Sequence, residues 1–207
     1  MYSCAEQTPP DHWQQQTAEL LRADPLRLAC LQAARALQLP DWYLAAGFLR
    51  NAIWDAAHRP GQAPRQALRM TPLNDIDLVF YQPFDCNDAQ QYAAALAQER
   101  QLAAQLNRQL PTQCFEVRNQ ARMHLKHGHP PYQHCIDGIR RWVELPTCVG
   151  VRLTAADQFE FAAPYGLALN WSLEVQINAD FPQPALYRQR IQSKGWQQLW
   201  PQLHIHW

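Results

Sequence analysis

Two aspartates one residue apart, Asp75 and Asp77 in the run Asn74-Asp75-Ile76-Asp77-Leu78-Val79-Phe80, open an apolar segment of strand composition. Side chains alternate along a strand, so residues i and i+2 face the same side. Two carboxylates held side by side at a largely buried strand end repel each other and require a compensating cation. Their hard oxygen donors suit Mg²⁺. Taken alone, the same pair also reads as one aspartate capping a turn and the other in solvent.

Two further signals lie either side of this pair. Upstream, Gly47-Phe48-Leu49-Arg50-Asn51 follows a short apolar segment and opens a helical one. A glycine at a strand-to-helix junction permits close backbone approach, and a helix start offers free N–H groups and a positive dipole end to a phosphate. Downstream, Glu116 interrupts the apolar strand Cys114-Phe115-Glu116-Val117-Arg118. It reads either as a surface carboxylate pairing with Arg118, or as a third acid beside Asp75 and Asp77. Three acids could hold two metal ions that activate a hydroxyl and stabilise a leaving pyrophosphate.

The elements that must position these residues follow from patterning. Trp13, Leu20 and Leu21 mark a first helix that Asp24-Pro25 should break. Leu28, Leu31, Ala34 and Leu37 recur at helical spacing in a second, Leu26 to Leu39, stopped by Pro40. Trp42 to Ala46 reads as a strand ended by Gly47, and Phe48 to Ala57 as a helix. The segment from His58 to Asn74 reads as a long loop carrying Arg65 and Arg69. Ile76 to Tyr81 is a strand. Asn87 or Asp88 caps a long helix reaching about Asn107, and Cys114 to Arg118 is the next strand. Ile136 to Val143 reads as a helix, followed by short strands at Val149–Leu153 and Phe159–Phe161. This alternation implies an α/β or α+β fold.

Composition removes other chemistries. The chain has 207 residues, with 18 basic and 18 acidic side chains, so its net charge is zero. That argues against binding a polyanion through a broadly basic face. Of the basic residues, only Lys126 and Lys194 are lysines. The glycines form neither a G-x-G-x-x-G loop nor a Walker A loop, and none of Ser3, Ser172 and Ser193 sits in a G-x-S-x-G elbow. Six scattered cysteines without a C-x-x-C pair read as reduced thiols, and Met1 to Asp11 does not read as a targeting segment, which together suggest a cytoplasmic protein. His124, His127, His129 and His134 cluster in a Pro-interrupted stretch; without H-E-x-x-H or a cysteine pair they read as loop residues rather than a zinc site. The eight tryptophans read as packing residues rather than base-stacking platforms.

Taken in order, a strand ending in glycine, a helix, a strand opening with D-x-D and a later strand carrying an acid resemble the nucleotidyltransferase superfamily typified by DNA polymerase beta. The stretches YLAAGFLRNAIWDAAH, TPLNDIDLVFY, FEVRNQARMH, CVGVRL, APYGL and the W-x-x-x-WP-x-L end look closer still to a family of small bacterial nucleotidyltransferase-like proteins. The resemblance implies metal ligation by Asp75, Asp77 and Glu116, with Mg²⁺ or Mn²⁺ as cofactor. It puts the nucleotide phosphates at Gly47, Phe48, Arg50 and Asn51, and gives Arg122 a phosphate or acceptor contact. The chain departs from the superfamily where Phe48 follows Gly47 in place of a small residue. It departs from the small family where Ala168-Leu169 follow Gly166-Leu167 in place of acids.

The expectation is a nucleotidyltransferase core of mixed sheet and flanking helices over residues 41–127. A helical segment, 1–40, packs on it, and a small C-terminal subdomain covers 128–207, the three forming one compact unit. The implied reaction transfers a nucleoside monophosphate from an NTP to an unknown acceptor, a small molecule, protein or RNA, releasing pyrophosphate. The alternative is a non-catalytic nucleotide- or partner-binding protein on the same fold.

Overall fold

A computed structural model describes residues 12–58, 71–73 and 75–207. Asn74 and the expected loop arginines Arg65 and Arg69 lie outside the described residues.

Helices α1 (His12–Arg22) and α2 (Pro25–Ala36) meet at Asp24. Its carboxylate caps α2 by accepting from the Arg27 amide at 3.0 Å, and Pro25 takes the first helical turn, where its missing N–H costs nothing. Strand β1 (Trp42–Ala45) leads into α3 (Gly47–Ala57), and β2 (Ile76–Phe80) into the long α4 (Ala89–Gln109), capped by Asp88. Strand β3 (Phe115–Asn119) precedes the short helices α5 (Met123–His127) and α6 (Cys135–Ile139). Strands β4 (Gly150–Leu153) and β5 (Phe159–Ala162) form a hairpin. The chain then runs through α7 (Ala168–Trp171), β6 (Glu174–Val175), α8 (Pro184–Lys194), α9 (Trp196–Leu199) and β7 (His204–Ile205).

The main sheet has the order β3-β2-β1-β4-β5, and only β2–β3 is parallel. This is the expected mixed sheet flanked by helices. Its last two strands come from beyond residue 127, so the boundary expected there falls inside the chain that builds the sheet. Central strand β1 is buried on both faces. Trp42 and Leu44 join a large core with Leu21, Leu31, Phe48, Ile53, Leu78 and Phe80, which fixes α1–α3 against the sheet. Tyr43 and Ala45 join the opposite core with Val79, Cys135, Ile139 and Cys148. A third core gathers Val175, Tyr187, Ile191, Trp196 and Trp200 around Trp54 of α3. The C-terminal elements are therefore anchored on the helix that follows β1.

The expected helix Ile136–Val143 stops at Ile139. Its continuation is drawn into other pairing: Asn178 Nδ2 donates to the carbonyls of Arg140 and Trp142, and Leu145 N–H donates to the Gln176 carbonyl. Backbone groups satisfied across the fold no longer favour another helical turn.

Candidate active site

Asp77 lies on β2 between Ala45 of β1 and Glu116 of β3 in register. Flat pairing on one sheet puts the two carboxylates on the same face. Asp75 stands just ahead of the strand, exposed, and with Asp77 lines a cavity of about 170 Å³. Burial, then the negative charges of Glu116 and Asp75, push the Asp77 carboxyl up to about 6, against the pull of Arg50 and Lys194. A carboxylate so disfavoured as an anion is suited to a cation that would share its charge.

The wall opposite the acids is the start of α3. Its N-cap is Ala46, with φ 52° and ψ −121°, and no side chain caps the helix. The first turn's N–H groups are thus left to a ligand, at the positive end of the helix dipole. A methyl group on Gly47 would project toward the Arg50 guanidinium and the Asn51 amide at 3.4–3.5 Å, so glycine keeps this approach clear.

Arg50 is buried, held between the rings of Trp54 and Trp196 at 5.0 and 4.5 Å. It donates to Asn51 Oδ1 and, at 2.8 Å, to Thr147 Oγ1. No described carboxylate forms an ion pair with it, and burial lowers its pKa to about 10, which leaves it protonated at neutral pH. Asn51 spends its carbonyl on Arg50 and keeps its Nδ2 for the cavity.

Arg190 and Lys194, one helical turn apart on α8, close the same cavity. Arg190 is held by the fully buried Glu144 at 2.5 Å. Sequence reasoning missed both cations. Their i, i+4 spacing on one helix face was the available signal, but nothing in the chain order brings α8 to β2; the packing of Trp196 and Trp200 on Trp54 does that.

Other expected residues are placed differently. The Phe48 side chain is fully buried in the main core beneath the Arg27 guanidinium, so it offers the site only its backbone N–H. The bulky residue after the glycine points away from the cavity. Arg122 is locked in a two-bond pair with buried Glu99 at 2.6 and 2.7 Å, and lies outside both cavities that contain Asp77. Glu116 pairs with Arg118 at 3.0 Å, one of its two sequence readings, and lines a second cavity with Asp77 but not Asp75. Among the described residues no three His, Cys, Asp or Glu side chains form a ready metal cage. Mg²⁺ sites that use one or two carboxylates plus substrate phosphates do not need one. The histidine stretch expected in a loop lies partly on α5, where His124 is buried and His127 ends the helix; His127 stacks on His129, and His129 bonds the Tyr132 hydroxyl.

A family model described as Nucleotidyltransferase matches residues 32–205. The chain belongs to this nucleotidyltransferase family. A solved structure whose description reads that the NMR structure reveals a CCA-adding enzyme head domain is 30% identical to this nucleotidyltransferase. The match covers 93% of this chain and 95% of that one, with a TM-score of 0.74. No curated protein matches the chain. Among the described residues of this nucleotidyltransferase, no helix is long and apolar enough to cross a membrane.

Proposed function

We propose that this nucleotidyltransferase transfers a nucleoside monophosphate from an NTP to an acceptor hydroxyl or amine and releases pyrophosphate. One observation carries the reading: a single cavity joins Asp75 and Asp77 to the uncapped start of α3, with Arg50, Arg190 and Lys194 around it. Carboxylates on one wall and phosphate-binding groups on the other fit a metal-bound triphosphate and little else of common chemistry. The donor set suits Mg²⁺ or Mn²⁺, with Asp75 and Asp77 as ligands and Glu116 as a third acid. When bound, the metal would neutralise the phosphates and lower the barrier to attack at phosphorus.

The remaining roles belong to the chain. The first N–H groups of α3 and the Asn51 amide hold phosphate oxygens. Arg50, held between its two indoles, supplies positive charge where charge builds on the leaving pyrophosphate. Lys194 adds a mobile cation at the cavity mouth. Glu116, on the side of Asp77 away from this wall, accepts or orients the acceptor's proton. The thiols of Cys30, Cys86, Cys114, Cys135 and Cys148 form no disulfide, which suits a reducing compartment such as the cytoplasm.

The test is incubation of the purified chain with each α-labelled NTP, Mg²⁺ or Mn²⁺ and a cell extract, following label onto protein, RNA or small molecules. Label transfer with equimolar pyrophosphate is expected, and its loss in Asp75→Asn/Asp77→Asn. Metal-dependent NTP binding without pyrophosphate release would instead mark a binding protein, and release of inorganic phosphate a phosphohydrolase.

A further inference from the structure

The second cavity, about 530 Å³, meets the first at Asp77, Ala46, Thr147 and Arg190 and extends past Glu116 toward α5 and α6. Resting on the nucleotidyl-transfer reading above, we infer that it is the acceptor pocket, and that the acceptor is a small polyol bearing a phosphomonoester, such as a sugar phosphate.

Position comes first. Displacement at phosphorus is in line, so nucleophile and leaving pyrophosphate lie on opposite sides of the α-phosphorus. The uncapped helix start, Arg50 and Lys194 all belong to the smaller cavity, and Glu116 to the larger. With pyrophosphate on the first side, the attacking hydroxyl falls on the second. The acceptor O–H oxygen bonds to the α-phosphorus, the bond from that phosphorus to the bridging oxygen of pyrophosphate breaks, and the hydroxyl proton passes to Glu116 and then solvent.

The lining gives the ligand's class. Lys126, exposed on α5, has no ion pair among the described residues. Arg141 lies against the rings of Tyr132 and Phe181 at 5.2 and 4.7 Å, and its Nη1 donates to the Asp137 carbonyl at 2.5 Å and lies 3.7 Å from the Asp137 carboxylate; its Nε is buried with no hydrogen-bond partner among the described residues. A buried guanidinium N–H left open is costly unless a ligand takes it. An arginine with a donor still unpartnered and an unpaired lysine lining the same cavity suit a phosphate dianion. Trp142 and Tyr132 add aromatic side chains to the lining. The volume of about 530 Å³ suits one compact ligand. Of the cations lining this cavity, Arg118 pairs with Glu116, Arg190 with Glu144 and Arg141 with Asp137, which leaves Lys126 as the one without an ion pair among the described residues.

Isothermal titration of the full chain with ribose 5-phosphate and glycerol 3-phosphate, against ribose and glycerol, tests this. The phosphorylated probes should bind and the parent polyols should not. Lys126→Glu, an exposed change that leaves the core alone, should weaken probe binding about tenfold or more through charge reversal. Arg141→Gln should weaken it too, while Lys194→Ala should leave it unchanged. Equal binding of phosphorylated and plain polyols, no binding, or loss in Lys194→Ala but not Lys126→Glu would overturn the assignment. So would a short RNA with a free 3′-hydroxyl that binds more tightly than the sugar phosphate and depends on Lys126. Label transfer from α-labelled NTP by a chain that ignores sugar phosphates would sink this inference alone. Sugar-phosphate binding by a chain that never releases pyrophosphate would sink the transfer reading alone.

Discussion

Asp77 and Glu116 stand in register on the neighbouring parallel strands β2 and β3, two carboxylates side by side on one sheet. Burial and this neighbour hold the Asp77 pKa near 6, above the 3.8 of an unhindered aspartate. The folded state therefore prefers the protonated form. The stabilisation is fully present below the unfolded value near 3.8 and is lost as pH rises through about 6. At pH 7.5 without metal, ionised Asp77 weakens the fold by about 1–3 kcal/mol. Asp77→Asn should therefore raise Tm in chelator at pH 7.5, by about 2–4 °C for each kcal/mol, and the gain should vanish near pH 3.5. Adding Mg²⁺ should stabilise the wild type and not the variant. Thermal melts across pH, with and without Mg²⁺, check both halves. A variant that melts below the wild type at pH 7.5 in chelator would contradict the electrostatic account.

Much of this site was legible in the chain. Alternation put Asp75 and Asp77 at the head of a strand, and the run of apolar residues 76–80 gave that strand its place in the core. Glu116 was ambiguous because a lone acid in a strand states neither its face nor its neighbour; the parallel β2–β3 register resolves both. Arg190 and Lys194 were invisible because they reach the acids only through long-range packing of tryptophans. Phe48 was misplaced for a local reason. The residue after the glycine was expected at the phosphates, whereas the helix turns its side chain into the core, next to Arg27. The end of α6 was overextended because side-chain bonds from Asn178 compete for its carbonyls.

The backbone strain of the junction sits one residue before the glycine. Ala46 at φ 52° and ψ −121° occupies a region that suits glycine, at a cost of about 1–3 kcal/mol. Ala46→Gly should relieve part of this and raise stability by about 1 kcal/mol, after the glycine's greater unfolded-state entropy is counted. Gly47→Ala makes the reverse comparison. Its new methyl meets only ordinary contacts, so Tm should hold, yet it stands in the approach to Arg50 and Asn51. KM for NTP should rise with little change in stability. Urea midpoints and steady-state kinetics of the two variants separate strain from access; a Gly47→Ala enzyme with wild-type KM would remove Gly47 from the phosphate wall.

Lys194 is the cleanest probe of the proposed phosphate wall, because it is exposed, on the last turn of α8, and forms no ion pair among the described residues. Lys194→Ala should leave the melting curve where it was. KM for NTP should rise about tenfold, the value of one partly screened charge–phosphate contact, and the effect should shrink as salt is added. Kinetics at low and high ionic strength check this. An unchanged KM at low salt would place the lysine outside the triphosphate's reach.

Asp55 sets the frame that brings these groups together. It is buried on α3, and its Oδ1 accepts from Thr71 Oγ1 at 2.7 Å and Trp200 Nε1 at 2.8 Å, while its Oδ2 accepts from the Thr71 amide at 2.8 Å. One carboxylate thus ties the segment leading into Asp75 and the tryptophan cluster beside Arg50 to the same helix. Asp55→Ala strips the partners from the buried Trp200 and Thr71 donors and opens a void between them. The expected loss is about 2–4 kcal/mol. Asp55→Asn keeps one accepting oxygen but turns an N–H₂ group toward a donor, so it should fall between the alanine variant and the wild type. Because the tie also sets the approach of Asp75 to α3, kcat should drop in both variants at temperatures where they remain folded. Urea unfolding followed by tryptophan fluorescence, paired with kcat in the folded range, measures the two effects on one sample. An alanine variant within about 0.5 kcal/mol of the wild type would show that the site is framed by the tryptophan packing alone.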